Sequence, residues 1–76
     1  MIPLSQAPKH RKAIIKQLQA DEPLEKRFLE MGFVEGAHVM LLHEAPFSKD
    51  PLMVRIRNSR IALRRREAEC ILVELE

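Results

Sequence analysis

The stretch DEPLEKRFLEMGFVEG, from Asp21 to Gly36, permits little besides one short amphipathic helix that stops on a glycine and turns back at once. Asp21 or Glu22 can accept hydrogen bonds from first-turn amides, and Pro23 suits a first-turn position where no amide hydrogen is needed. The acids come early, where the helix dipole favours negative charge. Leu24, Phe28 and Met31 fall at i, i+4 and i+7, a stripe that has to rest on something apolar. Gly32 follows immediately and can take the left-handed backbone that ends a helix without strain, and Gly36 closes the next turn. Leu29 points well away from the centre of the stripe at about 100° per residue. An apolar side chain aimed off the buried face is a candidate partner contact.

The rest of the chain reads as strands. Met1 to His10 contains Pro3 and Pro8 and is expected to lie over the surface until about Lys9. Arg11 to Leu18 is the first strand: Ala13 and Ile15 keep period two, but Leu18 breaks phase, which predicts a bulge or a strand end near Lys16. From Ala37 to Glu44, the residues Val39, Met40, Leu41 and Leu42 run without alternation, as in a strand covered on both faces or one on which the helix packs. Residues Ala45 to Pro51 form a proline-bounded loop suited to a wide hairpin. The next strand alternates strictly, with Leu52, Val54 and Ile56 on one side and Met53, Arg55 and Arg57 on the other. Asn58-Ser59 is a serviceable two-residue turn, Ile61 and Leu63 continue the inward face, and Arg64 to Glu69 can form one helical turn. Ile71, Val73 and Leu75 make a last alternating strand. Strands this short cannot bury both faces of an open sheet, so the expected fold is mainly β: a single domain over residues 1–76, a small curled barrel of about five strands with one flanking helix.

A chain of 76 residues buries only about 60% of its unfolded surface, which leaves little room for a deep catalytic cleft. The two glycines are committed to backbone turns, and Ser5, Ser48 and Ser59 have no evident base, so no catalytic residue is assigned. His38 and His43 are separated by five positions, so on a regular strand they point to opposite faces and could chelate together only across a bulge. His10 and Cys70 lack partners at ligand spacing, so neither a metal nor a cofactor is expected. The single cysteine cannot form an internal disulfide, and no leader or long apolar run is visible, so a cytoplasmic, soluble protein is expected. The formal charge of +2 hides an asymmetry: Arg55, Arg57, Arg60, Arg64, Arg65 and Arg66 lie within twelve residues that contain no acid. Such a run is either a solvated face or a dock for an acidic protein surface or anionic headgroups.

Met31-Gly32-Phe33-Val34-Glu35-Gly36 resembles the glycine-spaced signature of the ferrous iron transport protein A (FeoA) family. The downstream elements arrive in that family's order: Ala45-Pro46, then Asp50-Pro51-Leu52, then Arg60-Ile61-Ala62-Leu63-Arg64 with Glu67-Ala68, then Ile71-Leu72-Val73. Two departures stand out. Pro8-Lys9-His10-Arg11 replaces a glycine-rich opening, and Asn58-Ser59 replaces a turn that often contains glycine. The resemblance implies an SH3-like barrel with a helix after the first strand, acting as an accessory protein on the membrane ferrous iron transporter (FeoB) and its GTPase domain.

Under that reading the membrane is met only through the partner. The candidate interface residues are Leu29, Phe33 and an exposed edge made by Met53, Arg55 and Arg57. An incompletely closed barrel also leaves a strand edge through which two copies could pair weakly. Two alternatives are a small basic nucleic-acid-binding barrel, disfavoured by the absence of Tyr and Trp, and a detached regulatory domain related to those of iron-dependent repressors.

Overall fold

Asp21 caps the helix, its Oδ1 accepting a hydrogen bond from the Leu24 amide at 3.1 Å, in the computed structural model, which describes residues 1–76. Pro23 occupies the first turn and the helix runs to Met31. Gly32 then adopts φ 100°, and two hydrogen bonds close the end: Gly32 N–H to the Leu29 carbonyl at 3.1 Å and Phe33 N–H to the Phe28 carbonyl at 2.8 Å. This pair of bonds satisfies carbonyls that the last turn would otherwise leave open. The chain folds back on itself, and Phe33 meets Phe28 edge to face at 5.9 Å. Both rings are fully buried.

In chain order the elements are β1 (Ile2–Pro3), a 3₁₀ turn (Leu4–Gln6), β2 (Lys12–Leu18), α1 (Glu22–Met31), β3 (His38–Glu44), β4 (Leu52–Ile56), β5 (Ser59–Leu63), α2 (Arg65–Ala68) and β6 (Ile71–Leu75). The strands form one antiparallel sheet in the order β1-β6-β2-β3-β4-β5. Its inner face carries Ala13, Ile15, Val39, Leu41, Leu52, Val54, Ile56, Leu63, Ile71 and Val73, which join Leu4, Ala7, Phe28, Phe33 and Ala68 in one core of 15 buried residues. Burying one face of so short a sheet requires it to curl around that core. The alternation of β4 is realised fully, with Leu52, Val54 and Ile56 each no more than 1% exposed.

Two register shifts mark bulges. The one between Ile15 and Gln17 falls at Lys16, where the phase break at Leu18 predicts it. The other lies between Leu41 and His43, and with the extra residue Leu41 and Leu42 are buried in succession while Met40 is half-buried; Leu41 belongs to the central core and Leu42 lies outside it.

The amino-terminal segment also differs from expectation. It does not lie over the surface: Ile2 and Pro3 pair with Val73 and Leu72 to add a sixth strand, and Leu4 is wholly buried in the core. Pro3 is admissible there because β1 is an edge strand, where a missing amide hydrogen breaks no ladder. The segment is held from the far end of the chain by Arg65. Its guanidinium donates to the carbonyls of Ser5 (3.2 Å) and Lys49 (3.0 and 3.2 Å) and to the Glu44 carboxylate, while its backbone amide donates to Asp50 Oδ1 at 3.0 Å. Lys9 reaches the other oxygen of Glu44 at 3.4 Å. Hydrogen bonds to a charged group are stronger than neutral ones, and here one side chain joins α2, the 3₁₀ turn, the end of β3 and the β3–β4 loop.

Leu4→Ala should therefore destabilise by about 2–4 kcal/mol in urea unfolding, as for a buried leucine with little room to collapse around. A surface segment would lose well under about 1 kcal/mol. Glu44 generates a second expectation. Partial desolvation would raise its carboxyl, but hydrogen bonds from Arg65 and Lys9, with their charges, outweigh it and hold the group below its ordinary 4.5. The folded state then binds fewer protons than the unfolded one, so this stabilisation is complete above 4.5 and is lost as pH falls through the lower folded value. Glu44→Gln should be less stable than the parent at neutral pH, and the gap between the two should narrow on acidification below about pH 4.5, followed by urea melts across that range.

Candidate partner-binding face

The outer face of the sheet takes its chemistry from strand register. Lys12 lies opposite Met40, Met40 opposite Arg55, and Arg55 opposite Arg60, so one lateral row crosses β2, β3, β4 and β5 with three cations and one methionine. At about 4.8 Å between strands the row spans roughly 15 Å. Beside it, a shallow groove of about 360 Å³ is lined by Lys12, His38, Met40, Arg55, Arg57 and Glu76. Its one acid, Glu76, meets His38 Nδ1 at 3.2 Å. None of Lys12, Arg55, Arg57 and Arg60 has an ion pair within the chain.

Of the residues expected at an interface, Arg55 and Arg57 are exposed and share this groove. Met53 is half-buried on the same outer face and lines a smaller depression of about 100 Å³ with His43 and Ala62. These three do not form an edge, because β4 is an interior strand and the sheet's edges are β1 and β5. The turn beyond β4 also moves by one residue. Ile56 pairs with Ser59, so the two connecting residues are Arg57 and Asn58, with Arg57 at φ 55° in place of Asn58 and Ser59.

That turn brings Arg57 against the end of α1: its Nε lies 4.0 Å from where a Cβ on Gly32 would stand. Leu29, in the last turn of the same helix, is 46% exposed, and its carbonyl receives the Gly32 amide. Phe33 is different. It is 0% exposed, because the left-handed Gly32 turns it under the helix against Phe28, and it is withdrawn from the interface. Gly36, at φ 87°, donates to the Ile15 carbonyl at 2.8 Å and starts the return into β3.

The arginine run divides into three environments. Arg55, Arg57 and Arg60 are exposed where the sheet's outer face and the β4–β5 turn meet solvent, Arg65 is committed to its carbonyl and carboxylate partners, and Arg64 and Arg66 flank Asp50 in a separate depression. Lys12 and His38 belong to the groove and were absent from the sequence-based set. Lys12 could be placed outward from its alternation with Ala13, but its position beside Arg55 depends on register between three strands, which no local pattern encodes. The bulge at Leu42 does restore His38 and His43 to the outer face, yet about five residues of strand, roughly 16 Å, separate them, too far to share an ion. No three His, Cys, Asp or Glu side chains converge anywhere in the chain.

A family model described as the FeoA domain matches residues 2–75. An Fe(2+) transport protein A/Fe(2+) transporter FeoB fusion protein of Porphyromonas gingivalis is 40% identical over 63 residues, which is 83% of this chain and 7% of that protein. A Helicobacter pylori protein described as a candidate Fe(2+) transport protein A is 38% identical over 61 residues, covering 80% of this chain and 79% of its own length. Among solved structures, iron(II) transport protein A from Clostridium thermocellum superposes with a TM-score of 0.91 at 36% identity, over 97% of this chain and 45% of that one. FeoA of Stenotrophomonas maltophilia, described as a prokaryotic SH3 domain protein and complexed with zinc, gives 0.84 at 32% identity over 97% and 91%. With its curled antiparallel sheet, its helix closed by Gly32 and a family match across nearly its whole length, the chain belongs to the FeoA domain family, whose relatives here are named for ferrous iron transport.

Proposed function

We propose that this protein is a cytoplasmic accessory module of ferrous iron uptake that binds the membrane transporter of the FeoB type and modulates its GTPase-coupled transport. The observation that carries the reading is the Porphyromonas gingivalis relative, in which a transport protein A and the transporter share one chain, so that the two act at permanently high effective concentration. Separate chains must achieve the same encounter by affinity. An exposed Leu29 on α1 and the cationic groove on the sheet supply what such an encounter needs, an apolar anchor and charges that steer and orient the partner.

Modulation then follows from differential binding. If the module binds one conformational state of the transporter's GTPase domain more tightly than the other, it shifts the population toward that state by its affinity ratio. The module works by recognition, with no turnover of its own, and contacts the membrane only through the transporter. It needs no iron site for this role.

The test is co-purification with the transporter's cytoplasmic domain, with and without guanine nucleotide. Wild-type protein should be retained in a nucleotide-sensitive manner, and Leu29→Glu should weaken retention by about tenfold or more while its thermal melt stays close to the parent's, because Leu29 lies off the core. Equal retention of a folded Leu29→Glu variant would remove Leu29 from the interface, and no retention of the wild type would overturn the proposal.

A further inference from the structure

We infer that the row Lys12, Arg55 and Arg60, with Arg57 at its corner, is a docking face for an extended acidic segment of a partner polypeptide. The identification of that partner with the transporter rests on the reading above, whereas the face itself rests on register and charge. Arg55 and Arg60 are directly opposed on neighbouring antiparallel strands. Like charges in that arrangement oppose folding, and neither arginine has an ion-pair partner within the chain. Arg65, from the same run, shows what an arginine serving this fold looks like, surrounded by a carboxylate and three carbonyl contacts. The row has the opposite character: cations held at fixed spacing on a rigid sheet, facing solvent, with their charge unmatched.

Shape and composition choose among anionic partners. A row of roughly 15 Å matches about five residues of extended polypeptide, whose alternate side chains recur every 6–7 Å or so. Met40 sits between Lys12 and Arg55, a soft apolar surface on which an uncharged side chain of the segment can rest. A nucleic acid would find no Phe, Tyr or Trp in the groove to stack on, and its unbroken phosphate charge would meet Glu76. An acidic peptide can place carboxylates at the arginines and pass Glu76 with a neutral residue, using bidentate guanidinium contacts for geometry.

The experiment measures fluorescence anisotropy of a labelled peptide of about nine residues, with glutamate at alternate positions and leucine at its centre. The full-length protein is compared with Arg55→Glu and Arg66→Glu, which have equal net charge, while Arg66 lies in the depression beside Asp50. The parent should bind, and binding should weaken when salt rises from about 50 to about 300 mM. Arg55→Glu should lower affinity by about tenfold or more, Arg66→Glu by less than about twofold. Because Arg55→Glu places a carboxylate opposite Arg60, its melting temperature should equal or exceed the parent's, which separates lost binding from lost folding.

Equal effects of the two variants, or none, would overturn the inference, as would a lower melting temperature for Arg55→Glu. Tighter binding to duplex DNA or to phosphatidylglycerol vesicles than to the peptide, with the same dependence on Arg55, would overturn the choice of an acidic polypeptide. If the peptide binds as expected but the parent fails to retain the transporter domain, the face stands and the proposed function falls. If the parent retains that domain and Arg55→Glu retains it equally, the proposed function stands and this face is not its dock.

Discussion

A single left-handed residue decides what this molecule hides and what it shows. Gly32 at φ 100° ends α1 and reverses the chain within one residue, which carries Phe33 under the helix and against Phe28. A side chain there would meet Ile56 only at 3.8 Å, so space does not reserve the position for glycine. The backbone conformation does, at a cost of about 1–2 kcal/mol to any L-residue. Phe28 is the only fully buried residue of the helix, and with Leu24 and Met31, half-buried against the same core, it seats α1. The same reversal leaves Leu29 outside and presses the end of the helix against Arg57. The burial of Phe33 and the exposure of Leu29 are two results of one backbone choice.

Much of this was legible in the chain because the signals are local. The cap at Asp21, the proline in the first turn, the glycine stop and the strict alternation of Leu52, Val54 and Ile56 each report on residues within a turn or a strand. Even the bulge at Lys16 announced itself, since Leu18 slipped out of phase. The bulge at Leu42 did not, because Met40 is apolar and kept every position of the run hydrophobic. Proline hid the first strand. Pro3 and Pro8 read as loop, whereas an edge strand tolerates Pro3 and the burial of Leu4 supplies the stability.

The candidate site was legible only in part, and the reason is again physical. Alternation says which residues face outward, but only pairing across strands says which outward residues are neighbours. Arg55 and Arg57 could be nominated from β4 alone, whereas Lys12 and His38 come from strands distant in sequence. Six arginines in one run look equivalent until the partners of Arg65 are seen, and those partners, Ser5, Glu44 and Lys49, lie far from it along the chain. The structure thus separates one arginine that serves folding from others that the fold leaves unpaired. A sheet that stabilises itself in spite of opposed cations leaves their charge to solvent or to a partner of opposite charge, and the proposed docking face is made of those cations.

Methionine methyl groups offer the most direct view of that surface, because the chain has four methionines and they report on different places. Met40 sits in the middle of the cationic row, while Met1 precedes the opposite edge strand. With methyl-labelled methionine and the transporter's cytoplasmic domain added in steps, the Met40 resonance should shift or broaden at substoichiometric partner while Met1 stays in place. A complex that forms and leaves Met40 unmoved, or that perturbs Met1 and Met40 alike, would contradict the assignment of recognition to the outer face of β2 to β5.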